Sequence, residues 1–174
     1  METMKNILTR RSVRSYSDRP VSDETIHALL EAAMSAPSCT NSRDWAFVVV
    51  KDRKTLEKMA DANGRPAQLL KKAPLAILVC GDLERAFSKA PDYWIIDCAI
   101  AAENLVLAAN SQGLGSVWLG TYPQMERVRK QSEIFSLPDH IIPHSIIALG
   151  YPLEDTEKER HSRFEESCVH YEKW

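Results

Sequence analysis

The chain has 174 residues, 44% hydrophobic and 26% charged, proportions that suit a globular protein and exclude a disordered, fibrous or low-complexity one. Lysine and arginine number 22 against 24 acidic residues, a formal net charge of −2, so no basic excess recruits nucleic acid. That length can bury a sizeable core without staples, and one domain is expected over residues 1–174.

Met4, Ile7 and Leu8 recur at helical spacing and predict a short opening helix over residues 2–10, ending at a cluster of arginines. This charged, amphipathic end lacks the apolar core of a signal peptide. Ser22 is a natural N-cap, and Ile26, Leu29, Leu30, Ala33 and Met34 then follow the spacing of a half-buried helix that Pro37 stops. A polar loop, PSCTNSRD, leads into WAFVVV, a strand. A helix is predicted over 51–62, a break at Gly64–Pro66, a turn of helix over 68–72, and a continuous apolar strand, LAILVC, suited to a sheet covered on both faces. The helix predicted over 92–112 is apolar nearly all round, as befits burial in a large core or against a second subunit, and Gly113 stands where it should end. SVWLG is the next strand, 123–133 a helix, and HSIIALG the last strand.

The apolar stretches at 75–80 and 95–109 are too short or too interrupted to span a bilayer, so a cytoplasmic protein is expected. Beyond Tyr151 the chain is highly charged, with Phe164, Val169, Tyr171 and Trp174 as apolar anchors. Such a tail buries too little to fold alone, so it frays or wraps another surface. Strands and helices alternate irregularly, giving an α/β or α+β sandwich. Cys39, Cys80, Cys98 and Cys168 form no C-x-x-C pair, and neither a disulfide framework nor a metal site is expected. None of His27, His140, His144, His161 and His170 joins a recognisable nucleophile, so no catalytic triad stands out.

Three segments carry chemistry. RRSVRSY, Arg10 to Tyr16, sets three guanidinium groups and two serine hydroxyls within seven residues, a good phosphate site, although a solvated basic corner paired with acids has the same composition. APSCTNSRDW precedes a strand; alone it is an ordinary Asn- and Ser-rich loop. GLGSVWLG follows a helix and enters a strand, the reverse of a dinucleotide fingerprint, and a helix cap before a buried strand would account for its first glycines.

In this order and spacing the three motifs resemble those of the nitroreductase family of FMN-dependent oxidoreductases, from about Ile7 to His170. The resemblance implies an α+β fold with a central, mostly antiparallel sheet flanked by helices. It also implies a homodimer whose tail, about 153–174, is swapped onto the partner, with FMN at each of two interface sites. Arg10 and Ser12 would hold the FMN phosphate, with Arg11 assisting. Arg14 would lie near flavin N1 and O2, where a cation stabilises the anionic reduced ring. Pro37, Ser38, Cys39 and Asn41 would line the site from across the dimer, and the backbone N–H of Leu119 or Gly120 would face flavin N5. Gln68 would approach the pyrimidine edge or ribityl chain, and Arg163 in the tail would close over the phosphate, unless it is one more charge in a charged segment.

The chain departs from the family at Arg43. The usual N-x-Q-P-W reads Asn41-Ser42-Arg43-Asp44-Trp45, which places a guanidinium where a neutral amide is expected and suggests anionic substrates; pairing of Arg43 with Asp44, or exposure to solvent, is the alternative. Tyr93 and Trp94 join Arg43 as candidate substrate-pocket residues, with simple packing as their alternative. The implied activity is ping-pong: NADH or NADPH gives a hydride to flavin N5, and a small electron-poor acceptor, a nitroaromatic or a quinone, takes it up with no obligatory side-chain acid or base. Reductive dehalogenation, flavin breakdown, or flavin carriage without turnover are alternatives on the same fold.

Overall fold

Nearly unbroken burial along the two central strands sets the architecture of the computed structural model, which describes residues 2–153 and 162–174. Four strands, β1 (Trp45–Val50), β2 (Leu75–Asp82), β3 (Gly115–Gly120) and β4 (Ile141–Gly150), form an antiparallel sheet in the order β1-β2-β4-β3. The helices are α1 (Thr3–Thr9), α2 (Asp23–Met34), α3 (Arg53–Asn63), α4 (Tyr93–Ser111) and α5 (Met125–Phe135). The protein is α+β, as the resemblance implies.

Leu75, Ile77 and Val79 of β2 point to one face and cluster with Leu29 of α2 and Cys98 and Leu105 of α4. Ala76, Leu78 and Cys80 point to the other and cluster with Leu56 and Met59 of α3. A strand buried on both faces has no polar alternation to show, hence the unbroken LAILVC run. Local chemistry fixes the helix starts. Ser22 Oγ accepts the Thr25 N–H at 3.2 Å and Asp52 accepts the Thr55 N–H at 2.8 Å, so α3 begins at Arg53 rather than 51.

β4 begins at Ile141, three residues before the predicted HSIIALG, despite Pro143. The ladder slips between Val79 and Cys80: Val79 pairs with Ser145 and Cys80 with Pro143, leaving His144 as the extra residue of a bulge, where proline is tolerated. At the other end of the chain, α1 buries none of its residues and is tied to α4 by polar bonds, Asn6 Nδ2 to Leu107 O at 2.9 Å and Asn110 Nδ2 to Asn6 Oδ1 at 2.7 Å. Residues 154–161, which include part of the expected tail and His161, lie outside the described residues, and every residue from 162 to 174 is exposed. Among the described residues, no helix is long and apolar enough to cross a membrane.

Candidate functional site

The Arg10–Tyr16 segment runs beside the outer edge of β3. Val13 N–H donates to Ser116 O at 2.8 Å, and the Tyr16 hydroxyl pins the turn by donating to Val13 O at 2.6 Å. Burial raises the Tyr16 pKa well above its ordinary value and keeps that hydroxyl a donor. Arg10 Nε stands 3.7 Å from Glu103 Oε1 of α4, and Arg14 Nη1 donates to Ser12 O at 3.4 Å; Ser12 and Arg14 are exposed, Arg10 and Arg11 partly so. The pairing with an acid has thus formed at Arg10, but in a solvated geometry that contributes little.

At the far end of β3 the chain opens a backbone donor. In an antiparallel strand the N–H and C=O of one residue face the same edge, and neighbouring residues alternate. Ser116 O meets Val13, and Gly120 O meets Asn63 Nδ2 at 3.2 Å and Arg127 Nη1 at 3.0 Å, so these residues face the outer edge. Leu119, paired with Ile146 and buried, therefore turns its polar groups toward β4, and of the two candidate donors only the N–H of Gly120 looks outward. Nothing lies within 4 Å of where a Cβ on Gly120 would sit. Asn63, nearly fully buried, accepts the Thr121 hydroxyl at 3.0 Å while it holds Gly120 O. Sequence reasoning missed Asn63, Thr121 and Arg127, because only the fold brings α3 and α5 to the end of β3.

The 37–44 segment forms a strained loop. Thr40, Asn41 and Arg43 have φ of 52°, 59° and 50°, a conformation costly for a β-branched threonine. Asp97 of α4 anchors it, accepting the Cys39 N–H at 2.9 Å with Ser42 Oγ at 3.5 Å, and Arg43 N–H donates to Ser38 Oγ at 2.9 Å. Arg43 Nε donates to Asn41 Oδ1 at 3.0 Å, which occupies that oxygen and leaves the Asn41 NH2 to donate elsewhere. The Arg43–Asp44 pairing does not form: Asp44 is 0% exposed, neither of its carboxyl oxygens has a hydrogen-bond donor, and it lies against Asp97.

The loop and the Gly120 edge lie at the same end of the sheet but on opposite sides, since β1 and β3 are its two edge strands. With strands about 4.8 Å apart, three spacings separate them by roughly 14 Å. One protomer therefore joins the first and third motifs and holds the second apart.

The remaining candidates fall elsewhere. Gln68 donates to Ala60 O at 3.2 Å and Asp61 Oδ1 at 3.3 Å, closing the corner between α3 and the 3₁₀ segment Arg65–Lys71. Arg163 and Pro37 are exposed, Arg163 on the tail outside the packed body. Tyr93 is exposed, whereas Trp94 is a core residue, 5% exposed, with its ring edge-on to Tyr122 at 5.0 Å and packed on Gly81. The packing alternative holds for Trp94. Asp82, Glu84 and His140 are a surface group of metal-ligand type, Glu84 exposed and the other two partly so, with His140 Nδ1 3.5 Å from Glu84 Oε1.

The sequence pattern of the nitroreductase family matches residues 7–68 and 62–151, nearly the whole of the packed body. The chain belongs to the nitroreductase family. It is similar to a candidate NADH dehydrogenase/NAD(P)H nitroreductase of Archaeoglobus fulgidus, 46% identical over 175 residues and 99% of each chain. A crystal structure of a candidate NADH dehydrogenase/NAD(P)H nitroreductase from Parabacteroides distasonis superposes with a TM-score of 0.91, at 41% identity over 99% of this chain and 98% of that one. An FMN-dependent nitroreductase from Clostridium difficile superposes at 0.87, with 32% identity over 97% and 99% of the two chains.

Proposed function

We propose that this nitroreductase-family member is an FMN-dependent NAD(P)H oxidoreductase that reduces small electron-poor acceptors, nitroaromatics or quinones, by a ping-pong mechanism. The observation that carries the proposal is the outward-facing N–H of Gly120, an exposed residue with open space at its Cβ position, on the same strand edge as the Arg10–Arg14 cluster. A planar ring with an acceptor nitrogen fits that edge, and a phosphate fits the cluster. When bound, FMN would supply the redox chemistry that passes reducing equivalents from NADH or NADPH to the acceptor.

The residues bind and orient. Arg10 and Ser12 hold the phosphate, Arg11 and Arg163 assist, and Arg14 faces the pyrimidine edge with its charge. Gly120 would offer its N–H to flavin N5. The Asn41 amide, with its oxygen held by Arg43, donates from the second copy of a homodimer, in which Pro37, Ser38 and Cys39 line the same wall; the placement of the loop and Gly120 on opposite edge strands of one protomer supports this division. Arg43 and Tyr93, both exposed, border the acceptor's entry. Two of the thiols are kept from reacting, since burial pushes Cys80 up to about 12 and Cys98 higher still.

Replacing Arg10 tests the site. Arg10→Ala removes a charged phosphate ligand and is expected to weaken FMN binding by about 1.5–3 kcal/mol, with a smaller loss for Ser12→Ala, by fluorescence titration. Bleaching of the flavin absorbance by NADH or NADPH, and its recovery with a quinone, tests the activity. Unchanged FMN retention in Arg10→Ala would move the phosphate elsewhere, and a flavin that neither donor bleaches would leave a carrier rather than an enzyme.

A further inference from the structure

Two carboxyl groups lie against each other beneath the strained 37–44 loop. Asp44 is 0% and Asp97 2% exposed, and the loop's cation, Arg43, is turned to Asn41 instead. Two buried carboxylates in contact cannot both ionise without a compensating cation. Their surroundings divide the roles. Asp97 accepts the Cys39 N–H at 2.9 Å and has Ser42 Oγ at 3.5 Å, so its carboxyl is engaged with the loop. Neither Asp44 oxygen is satisfied by a hydrogen bond, and burial together with the Asp97 charge outweighs the nearby Ser42 hydroxyl and its own N–H, so Asp44 is the member that carries a hydrogen and gives it to Asp97.

We propose that Asp44 and Asp97 share a single proton, and that this acid–carboxylate pair is the positioning element that fixes the 38–43 loop for its role at the flavin. The flavin-facing half rests on the function proposed above; the pair itself does not. Asp97 grips the backbone at Cys39, while Asp44 precedes β1 and is held by its own carbonyl, which accepts the Asp82 N–H at 2.9 Å. The shared hydrogen thus ties the start of the loop to its end through α4.

The other titratable groups facing the pair are Cys98 from α4, whose Sγ lies 4.0 Å from Asp44 O, and behind it Cys80 of β2, to whose carbonyl Cys98 donates at 3.4 Å. Both stay protonated, so neither relieves a second negative charge. Burial first, and Asp97 second, hold the Asp44 pKa above the usual carboxylate range. As pH rises through that raised value, the pair becomes two like charges and the loop loosens.

Asp44→Asn and Asp44→Leu, followed by infrared spectroscopy and amide hydrogen exchange, test the pair. Asparagine keeps a donor to Asp97 and cannot ionise; leucine keeps the bulk and loses the donor. A protonated-carboxyl band that persists above the usual carboxylate range in the wild type should vanish in Asp44→Asn. Exchange over residues 38–43, corrected for intrinsic rate, should rise about tenfold per pH unit above the transition in the wild type, stay flat in Asp44→Asn, and be fast at every pH in Asp44→Leu. FMN retention should follow the same pH course in the wild type and lose it in Asp44→Asn. Absence of the band, or a loop whose exchange is the same in all three proteins, would overturn the pair. A band and exchange pattern as expected, with FMN retention that ignores both, would overturn the flavin-facing half; if Arg10→Ala also left FMN retention intact, the fault would lie in the functional proposal.

Discussion

A single methyl group separates the two roles glycine plays here. On Gly81 a Cβ would sit 2.3 Å from Trp94 Cε3, inside a packed core. Gly81→Ala is therefore expected to cost about 1–3 kcal/mol of stability, read as a lower midpoint in thermal unfolding. On Gly120 the same atom meets nothing, so Gly120→Ala should unfold as the wild type does, yet bind FMN about tenfold more weakly, because the methyl occupies the surface the ring covers. Equal FMN affinity in Gly120→Ala would take the ring away from this edge. Arg43 was legible as a departure from the family pattern, but its partner was not: pairing with the adjacent Asp44 is the nearest guess along the chain, and the fold instead buries Asp44 against a helix residue 53 positions on. Arg43→Gln should lower kcat/KM a few-fold for a carboxylated nitroaromatic and leave a neutral quinone unchanged, the scale of a partly exposed charge pair. Equal effects on both acceptors in parallel steady-state assays would remove Arg43 from substrate selection.

Helices and strands were readable wherever burial is periodic, as in α2, or unbroken, as in β2; what escaped was the detail set by partners across the sheet. The Pro143 bulge is the example, because its register depends on β2, and it determines where His144 goes. That side chain is packed edge-on between Trp94 of α4 and Trp118 of β3, both 5.9 Å away, and desolvation lowers its pKa from 6.5 to about 4. A histidine held neutral in the fold binds its proton more readily when unfolded, so between pH 6.5 and about 4 the unfolded state gains protons that the native state refuses. The His144 contribution to stability is expected to be fully present above pH 6.5 and to be lost as pH drops toward about 4, a loss of about 2–3 kcal/mol. His144→Phe should flatten that limb in urea unfolding measured across the range. A slope unchanged by the substitution would assign the acid sensitivity to other groups.

At the scale of the whole molecule, the sheet is covered on both faces but the surface retains apolar groups that one protomer does not use. Phe164 is 73% and Tyr171 84% exposed, Trp174 is fully exposed, and Met4, Ile7 and Leu8 of α1 and Ile96 of α4 are also open to solvent. Scattered exposed apolar residues need no explanation, but three aromatics along one charged segment are anchors in search of a surface. The division of the candidate site points the same way, since the loop that holds Asn41 stands across the sheet from Gly120 and serves a flavin edge only if another copy brings it there. Deleting residues 162–174 removes no side chain buried within its own chain, so the circular dichroism of the body should survive. Each aromatic anchor is worth about 1.5–3 kcal/mol if fully buried on a partner, less the cost of ordering the tail. The dimer dissociation constant is therefore expected to rise at least about tenfold in sedimentation equilibrium, with FMN occupancy falling in parallel as Arg163 is lost. A truncated protein that remains dimeric and keeps its flavin would show that the tail neither bridges the copies nor closes the site.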